Sequence, residues 1–109
     1  MLRVTQRFLV LMPSLRGLFE QIARHDIDLA RQGRRASCSV ALNHAEGWAS
    51  QKGNRQARFS NAFASLKETQ MTLQLAVAMG YIAPLAHDIA DGLDHVAAQS
   101  WLLMHPRRS

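Results

Sequence analysis

Apolar residues recur along most of the chain at the spacing of an α-helix. Near the amino terminus they form one stripe with three- and four-residue steps, and a similar stripe returns near the carboxyl terminus. The first stripe is Val4, Phe8, Leu11, Leu15, Leu18, Phe19 and Ile22, and the last is Leu85, Ile89, Leu93, Val96, Ala97, Trp101 and Leu103. A single stripe is typical of a helix that packs on a core with one face. The pattern predicts helices over about residues 3–24 and 83–104.

The two middle segments are apolar on two sides. In residues 26–50 one arc of the helical wheel holds Ile27, Ala30, Cys38, Ala41, Leu42, Ala45 and Trp48, and another holds Leu29, Gly33, Ala36, Val40 and Gly47. In residues 54–79 the core stripe is Phe59, Ala62, Phe63, Leu66, Leu73 and Val77, and a second stripe is Ala64, Met71, Leu75, Ala78 and Met79. Because a helix of this kind is normally buried on more than one side, we expect self-association through helices two and three.

Turn residues separate these segments and predict how the helices connect. Asp26 and Asn54 are suited to cap the second and third helices, and Pro84 to occupy the first turn of the fourth. Gly80 stands where a left-handed residue ends the third helix. Short connections favour antiparallel neighbours. The sequence therefore predicts an all-α, antiparallel up-down-up-down four-helix bundle, and 109 residues suit one domain over 1–109.

Residues of the second and third segments resemble a known family. They are Gln32, Arg34, Arg35, Ala36, Ser39, Val40, Asn43, Ala45, Glu46 and Gly47, then Phe59, Ala62 to Ser65, Glu68 and the Gly80-Tyr81 step. Together they resemble the signature of the bacterial four helix bundle protein family, also labelled 23S rRNA-intervening sequence proteins, over roughly residues 25–82. The resemblance implies a closed, ring-like homo-oligomer, with homopentamers among the relatives. The family is also similar to accessory proteins of diversity-generating retroelements, which are basic pentamers that work beside a reverse transcriptase.

The net charge of +5 is unevenly distributed. Residues 31–58 include six basic residues and a single acidic one, Glu46. The fourth helix, by contrast, carries three aspartates and no Lys or Arg. Clustered cations are what contact with nucleic-acid phosphates requires. The candidates for such contact are Arg31, Arg35, Lys52, Arg55 and Arg58. There is little aromatic interleaving for base stacking, so a solvated charged face is the alternative interpretation.

Four polar residues are expected to make structural or intersubunit contacts. Arg34 lies within an apolar arc, so its side chain is expected either to extend its charge out to solvent or to pair with a carboxylate, Glu68 or an acid of helix four. Asn43 and Glu46 belong to the polar strip of helix two, where neighbouring backbone or Arg35 could bond them.

The composition favours a cytoplasmic protein. The single Cys38 excludes an internal disulfide, which fits a reducing compartment, and its position in an apolar arc predicts a buried, inert thiol. The apolar run from Phe8 to Met12 is too short for a signal peptide or a membrane span, so we expect no membrane partner.

Chemistry-bearing motifs are scarce. No glutamate is followed by a histidine three residues later, as a di-iron bundle needs, and no glycine-rich phosphate loop or nucleophile motif occurs. His87, Asp91 and His95 share one side of helix four, where a solvated polar face is a better interpretation than a metal site. We therefore expect no enzyme activity, cofactor, metal or small-molecule substrate.

Three functions remain from these observations. The first is a non-catalytic, cytosolic, oligomeric helical module whose basic surface binds RNA or DNA, or docks on a nucleic-acid enzyme. The alternative is a purely structural or protein-interaction oligomer whose arginines pair with carboxylates at subunit interfaces. An enzyme with an intersubunit site is a third, weaker hypothesis.

Overall fold

Four helices make up the described part of the chain. The computed structural model describes residues 3–105, apart from the side chain of Lys52. The helices are α1 (Arg3–Ala23), α2 (Ile27–Ala49), α3 (Lys52–Ala78) and α4 (His87–Met104), and no strand occurs among residues 3–105. Each helix packs beside the next, and α4 closes the bundle against α1. The predicted all-α four-helix architecture is confirmed.

The turns on either side of the α2–α3 pair follow the predicted chemistry. The Leu29 backbone N–H donates to Asp26 Oδ1 at 3.0 Å, so Asp26 caps α2. Beyond α3, Gly80 adopts φ 77°, and the Tyr81 N–H donates to Ala76 O at 2.8 Å. The Gly80 N–H also donates to Val77 O. Together the two hydrogen bonds form the Schellman arrangement, which satisfies the last carbonyls of a helix.

Two helix starts differ from the prediction. Arg55 N–H donates to Gln51 O at 2.7 Å, so α3 begins directly after Gln51 and Asn54 lies inside its first turn instead of capping it. At the other junction α4 begins at His87, and Pro84 belongs to the connection. Ile82 is buried there and holds the connection against the core, and the residue before a proline avoids the helical conformation.

Small residues bring α2 close to its neighbours. A Cβ at position 33 would overlap the Phe19 ring of α1, and one at position 47 would overlap the Phe59 ring of α3. Both rings are at most 2% exposed. Each glycine therefore provides a notch that an aromatic ring of the adjacent helix fills. The largest fully buried aliphatic side chains of the core are Leu15, Ile22, Leu66, Leu73 and Leu93.

The two apolar arcs of α2 have different surroundings. The arc with Gly33, Ala36, Val40 and Gly47 faces the core. The other arc points mostly outward, since Ile27 and Leu42 are 54% and 63% exposed. Cys38 is also exposed, so the prediction of a buried thiol is wrong: its arc is the outer one. On α3 the second stripe is outward as well, with Met71, Leu75 and Met79 exposed.

Helix four departs from its predicted stripe at its last turn. Trp101 is 47% exposed and stacks on His105, with ring centroids 3.9 Å apart, because this turn lies at the end of the core. None of the helices within residues 3–105 is long and apolar enough to cross a membrane.

Candidate nucleic-acid interface

The five candidate phosphate contacts fall into two separate groups. Arg55 and Arg58 lie in the first two turns of α3, with Lys52 at its first residue; the Lys52 side chain lies outside the described part of the structure. Arg31 and Arg35 lie in the first half of α2 on its outer face. At 1.5 Å per helical residue, Arg31 is roughly 27 Å from the end of α2. The five candidates are close in sequence, but they therefore do not form a single basic patch on the surface.

Arg55 is bound to its own chain. Its Nε donates to Gly47 O at 3.1 Å and to Ser50 O at 3.2 Å, and its guanidinium carbon lies 5.9 Å from the centroid of the Trp48 ring. These bonds occupy carbonyls at the carboxyl end of α2, where a cation is favoured. Arg55 thus caps α2 across the two-residue connection to α3.

The other candidates are paired to different degrees. Arg58 Nη1 lies 2.9 Å from Glu46 Oε2, with both side chains about half exposed. Arg31 Nη1 is 3.9 Å from Asp28 Oδ1, at the limit of an ion pair. Exposed pairs of this kind are worth about 0–1 kcal/mol. Arg35 is exposed and has no carboxylate within 4.0 Å among the described side chains.

A third arginine joins Arg55 and Arg58 at the same end of the bundle. A cavity of about 540 Å³ there is lined by Trp48, Gly53, Arg55, Gln56, Phe59, Leu102 and Leu103. A neighbouring cavity of about 350 Å³ shares Trp48 and includes Arg3. Arg3 and Arg55 thus lie around one tryptophan. We call this surface, formed by Arg3, Arg55 and Arg58, the basic end.

The sequence interpretation missed Arg3. It stands about 50 positions before Arg55 in the chain. The signal that could have found it is topological: an antiparallel bundle brings the start of α1, the start of α3 and the end of α4 to one end.

Two of the four residues expected to make polar contacts, Asn43 and Glu46, make them within the chain. Asn43 Nδ2 donates to the carbonyl and to Oγ of Ser39, each at 2.9 Å, and Ser65 Oγ donates to Ser39 Oγ at 2.8 Å. Asn43 is therefore part of a hydrogen-bonded seam between the helices. Glu46 binds Arg58, as described above.

The expected ion pair between Arg34 and Glu68 does not form within the chain. Arg34 and Glu68 are both exposed, and among the described ion pairs neither of them takes part. A contact between these charges would need a second copy of the chain or another partner.

A buried histidine lies outside all of these predictions. His44 is fully buried, its Nε2 is 3.2 Å from Ser100 Oγ on α4, and Nδ1 is buried with no hydrogen-bond partner among the described residues. Its burial lowers its pKa from 6.5 to about 4, because the charged ring would lose its hydration. The sequence does contain a signal for this burial, because on the helical wheel His44 lies beside the arc formed by Gly33, Val40 and Gly47.

Metal-ligating side chains do not converge in the described part of the chain. No group of three or more His, Cys, Asp or Glu within residues 3–105 could hold an ion. Asp91 and His95 instead line a groove between α1 and α4 together with Arg7.

Comparison with known proteins gives a family for this arrangement. A search of curated proteins and a search of solved structures each found no significant match. A family model described as 23S rRNA-intervening sequence protein matches residues 2–99. The match covers most of the chain, including all of α1, α2 and α3 and the first 13 of the 18 residues of α4. The chain therefore belongs to the 23S rRNA-intervening sequence protein family.

Proposed function

We propose that the protein is a non-catalytic, cytoplasmic, homo-oligomeric helical module that binds RNA or DNA through its basic end. The observation that carries this proposal is that Arg3 and Arg55 lie around Trp48 at one end of the bundle, with Arg58 about one turn further along α3, where it pairs with Glu46. Arginines grouped on one surface provide the phosphate contacts on which nucleic-acid affinity mainly depends. The family description, which refers to a sequence intervening in 23S rRNA, is consistent with a nucleic-acid partner.

The same proposal includes a ring-like assembly, with a pentamer as the expected stoichiometry from the family resemblance. Its support in this chain is the outer surface of α2 and α3, where Ile27, Leu42, Met71, Leu75 and Met79 are all about half exposed or more. An apolar surface of this kind marks an interaction site. Several copies in one particle would present several basic ends to a single nucleic acid, which strengthens binding without new types of contact.

The test is a titration of the purified oligomer with structured RNA and with duplex DNA over a range of salt concentrations. The logarithm of the affinity should fall linearly with the logarithm of salt concentration. Arg3→Ala and Arg58→Ala should each weaken binding, and each should reduce that slope by about 0.9 for every duplex phosphate that the variant no longer neutralises. Arg55 is left unchanged because it caps α2.

Arg16→Ala is the matched control. Arg16 is an exposed arginine of α1 that pairs with Glu20 at 3.1 Å, several turns from the basic end. Its removal should leave the salt slope unchanged. No binding at low salt, or equal effects of the three substitutions, would show that the basic end is not a phosphate site.

A purely structural or protein-interaction oligomer is the second candidate. The observation that favours it is the engagement of Arg55 and Arg58 with acceptors of their own chain. It predicts an intact oligomer with no nucleic-acid affinity at any salt concentration, so the same titration separates the two functions.

A further inference from the structure

The outer face of α2 carries a row of side chains that combines charge with apolar surface. Arg31, Arg35, Cys38 and Leu42 follow one another at steps of four, three and four residues, so they lie along one line of the helix. Arg31, Arg35 and Cys38 are exposed or partly exposed, and Leu42 is 63% exposed. We call this row, with Arg34 beside it, the α2 ridge.

A groove of the opposite character lies between α1 and α4. It has a volume of about 380 Å³ and is lined by Arg7, Val10, Leu11, Asp88, Asp91, Gly92 and His95. Leu11 and Gly92 bring the two helices close: a Cβ at position 92 would lie 2.9 Å from Leu11 Cδ2. Val10 is 77% exposed at this site. We call it the α1/α4 groove.

The charges of the two surfaces are complementary and are not used within the chain. Among the described ion pairs, Arg34 and Arg35 have no carboxylate within 4.0 Å, and Asp88 and Asp91 have no cation. The ridge combines unpaired arginines with Leu42. The groove combines two unpaired aspartates with Val10 and Leu11, and because it also contains Arg7 its net negative charge is one, with His95 neutral. Opposite charge around matching apolar surface is the arrangement that fixes orientation at an interface.

We propose that the α2 ridge of one copy docks in the α1/α4 groove of the next copy. This rests on the homo-oligomer of the proposed function and names a contact for the α2 part of its outer surface, without assigning one to the exposed stripe of α3. Ridge against ridge would bring the arginines of both copies together, which is unfavourable. Because α2 is a different corner of the bundle from the α1/α4 side, the contact is head-to-tail. Such contacts repeat and give a ring where the rotation closes.

Disulfide crosslinking tests the contact, because Cys38 is the single native cysteine and lies on the ridge. Two variants add one cysteine on opposite walls of the groove, Val10→Cys on α1 and His95→Cys on α4. Under mild oxidation at least one should give a ladder of linked chains, since each copy then bonds to two neighbours. Wild-type protein should stay unlinked.

The matched control is Gln74→Cys, on an exposed position in the neighbouring groove between α3 and α4. It should not give a ladder. A dimer formed by wild-type protein through Cys38 alone would overturn the proposal, because it requires ridge against ridge. Absence of a ladder in both groove variants, in a protein that is oligomeric by light scattering, would overturn it as well.

A charge exchange gives an independent result. Replacing both Arg34 and Arg35 by Glu, or both Asp88 and Asp91 by Arg, should raise the dissociation constant of the oligomer about tenfold or more, and combining the four changes should restore much of the assembly. Assembly unaffected by either pair would contradict the docking alone. A wild-type protein that is monomeric at all concentrations would instead contradict the homo-oligomer of the proposed function.

Discussion

The inner and outer faces of α2 differ in a way that hydrophobicity alone does not describe. The inner face is built from Gly33, Ala36, Val40 and Gly47, whereas the outer face carries the large aliphatic side chains of Ile27 and Leu42. The small residues are inside because they accept the rings of Phe19 and Phe59 at close range. What decides which arc enters the core is therefore the fit to the neighbouring helices.

The two faces also treat polar groups differently. Inside, His44 stays neutral and bonds Ser100 across the bundle. Outside, Arg34 and Arg35 remain charged in solvent. The inner face therefore contributes to the stability of a single chain, and the outer face has charge and apolar surface left for a partner.

The largest difference between the faces should appear when one large side chain is removed from each. Phe19→Ala empties the notch at Gly33 and should lower the free energy of unfolding by about 3–5 kcal/mol. Leu42→Ala on the outer face should change it by less than about 0.5 kcal/mol in dilute protein. Urea unfolding followed by circular dichroism measures both.

Measurements at several protein concentrations distinguish the effect of Leu42→Ala on the stability of the chain from its effect on assembly. If Leu42 lies at a contact between copies, its removal should lower the unfolding midpoint more at high concentration, where the oligomer forms. Equal destabilisation by Phe19→Ala and Leu42→Ala in dilute protein would contradict the assignment of inner and outer faces.

Acid should weaken the inner face through His44. Its folded pKa of about 4 lies below the unfolded value of 6.5, so the unfolded chain binds the proton more tightly. The stabilising effect of neutral His44 is therefore complete above pH 6.5 and is lost as the pH falls towards 4. The difference corresponds to at most about 3 kcal/mol at 1.36 kcal/mol per pKa unit. Urea unfolding at several pH values between 7 and 4 measures this decline.

A variant without the buried ring isolates this contribution from the other titrating groups. His44→Leu should flatten the decline between pH 6.5 and 4, although it leaves the Ser100 hydroxyl without its partner. The same slope in His44→Leu and in the wild-type protein would mean that His44 is not the titrating group.

Helical periodicity was enough to predict the four helices, because regular apolar spacing is a local property of the sequence. The Asp26 cap and the Gly80 turn were predictable for the same reason, since each depends on a few adjacent residues. The start of α4 was not predictable in this way: Pro84 suits a first helical turn, but α4 begins only at His87, and the buried Ile82 holds the connection before it against the core.

The candidate interface was less predictable because it depends on distant parts of the chain. Arg31 and Arg55 belong to the same basic segment of the sequence, residues 31–58, yet Arg31 lies roughly 27 Å along α2 from the junction that Arg55 caps. Arg3 and Arg55, by contrast, come together only through the antiparallel topology. Likewise, the exposure of Cys38 depended on which arc of α2 fits its neighbours, and a helical wheel contains no information on that fit.

The smallest expected effect is the change in stability when a glycine of the bundle is replaced by alanine. Its sign depends on whether a neighbouring ring already fills the space beside the glycine. Alanine is favoured over glycine in a helix by up to about 1 kcal/mol, so a glycine with free space should gain stability on substitution. Gly17 of α1 has no atom within 4 Å of the added methyl, and Gly17→Ala should gain this amount. At Gly33 the added methyl meets the Phe19 ring, and overpacking costs about 1–3 kcal/mol, so Gly33→Ala should be destabilised by about 1 kcal/mol net. Thermal and urea unfolding of the two variants should move in opposite directions. A gain in both would mean that the Phe19 ring can withdraw from α2, and that close fit does not select the inner face.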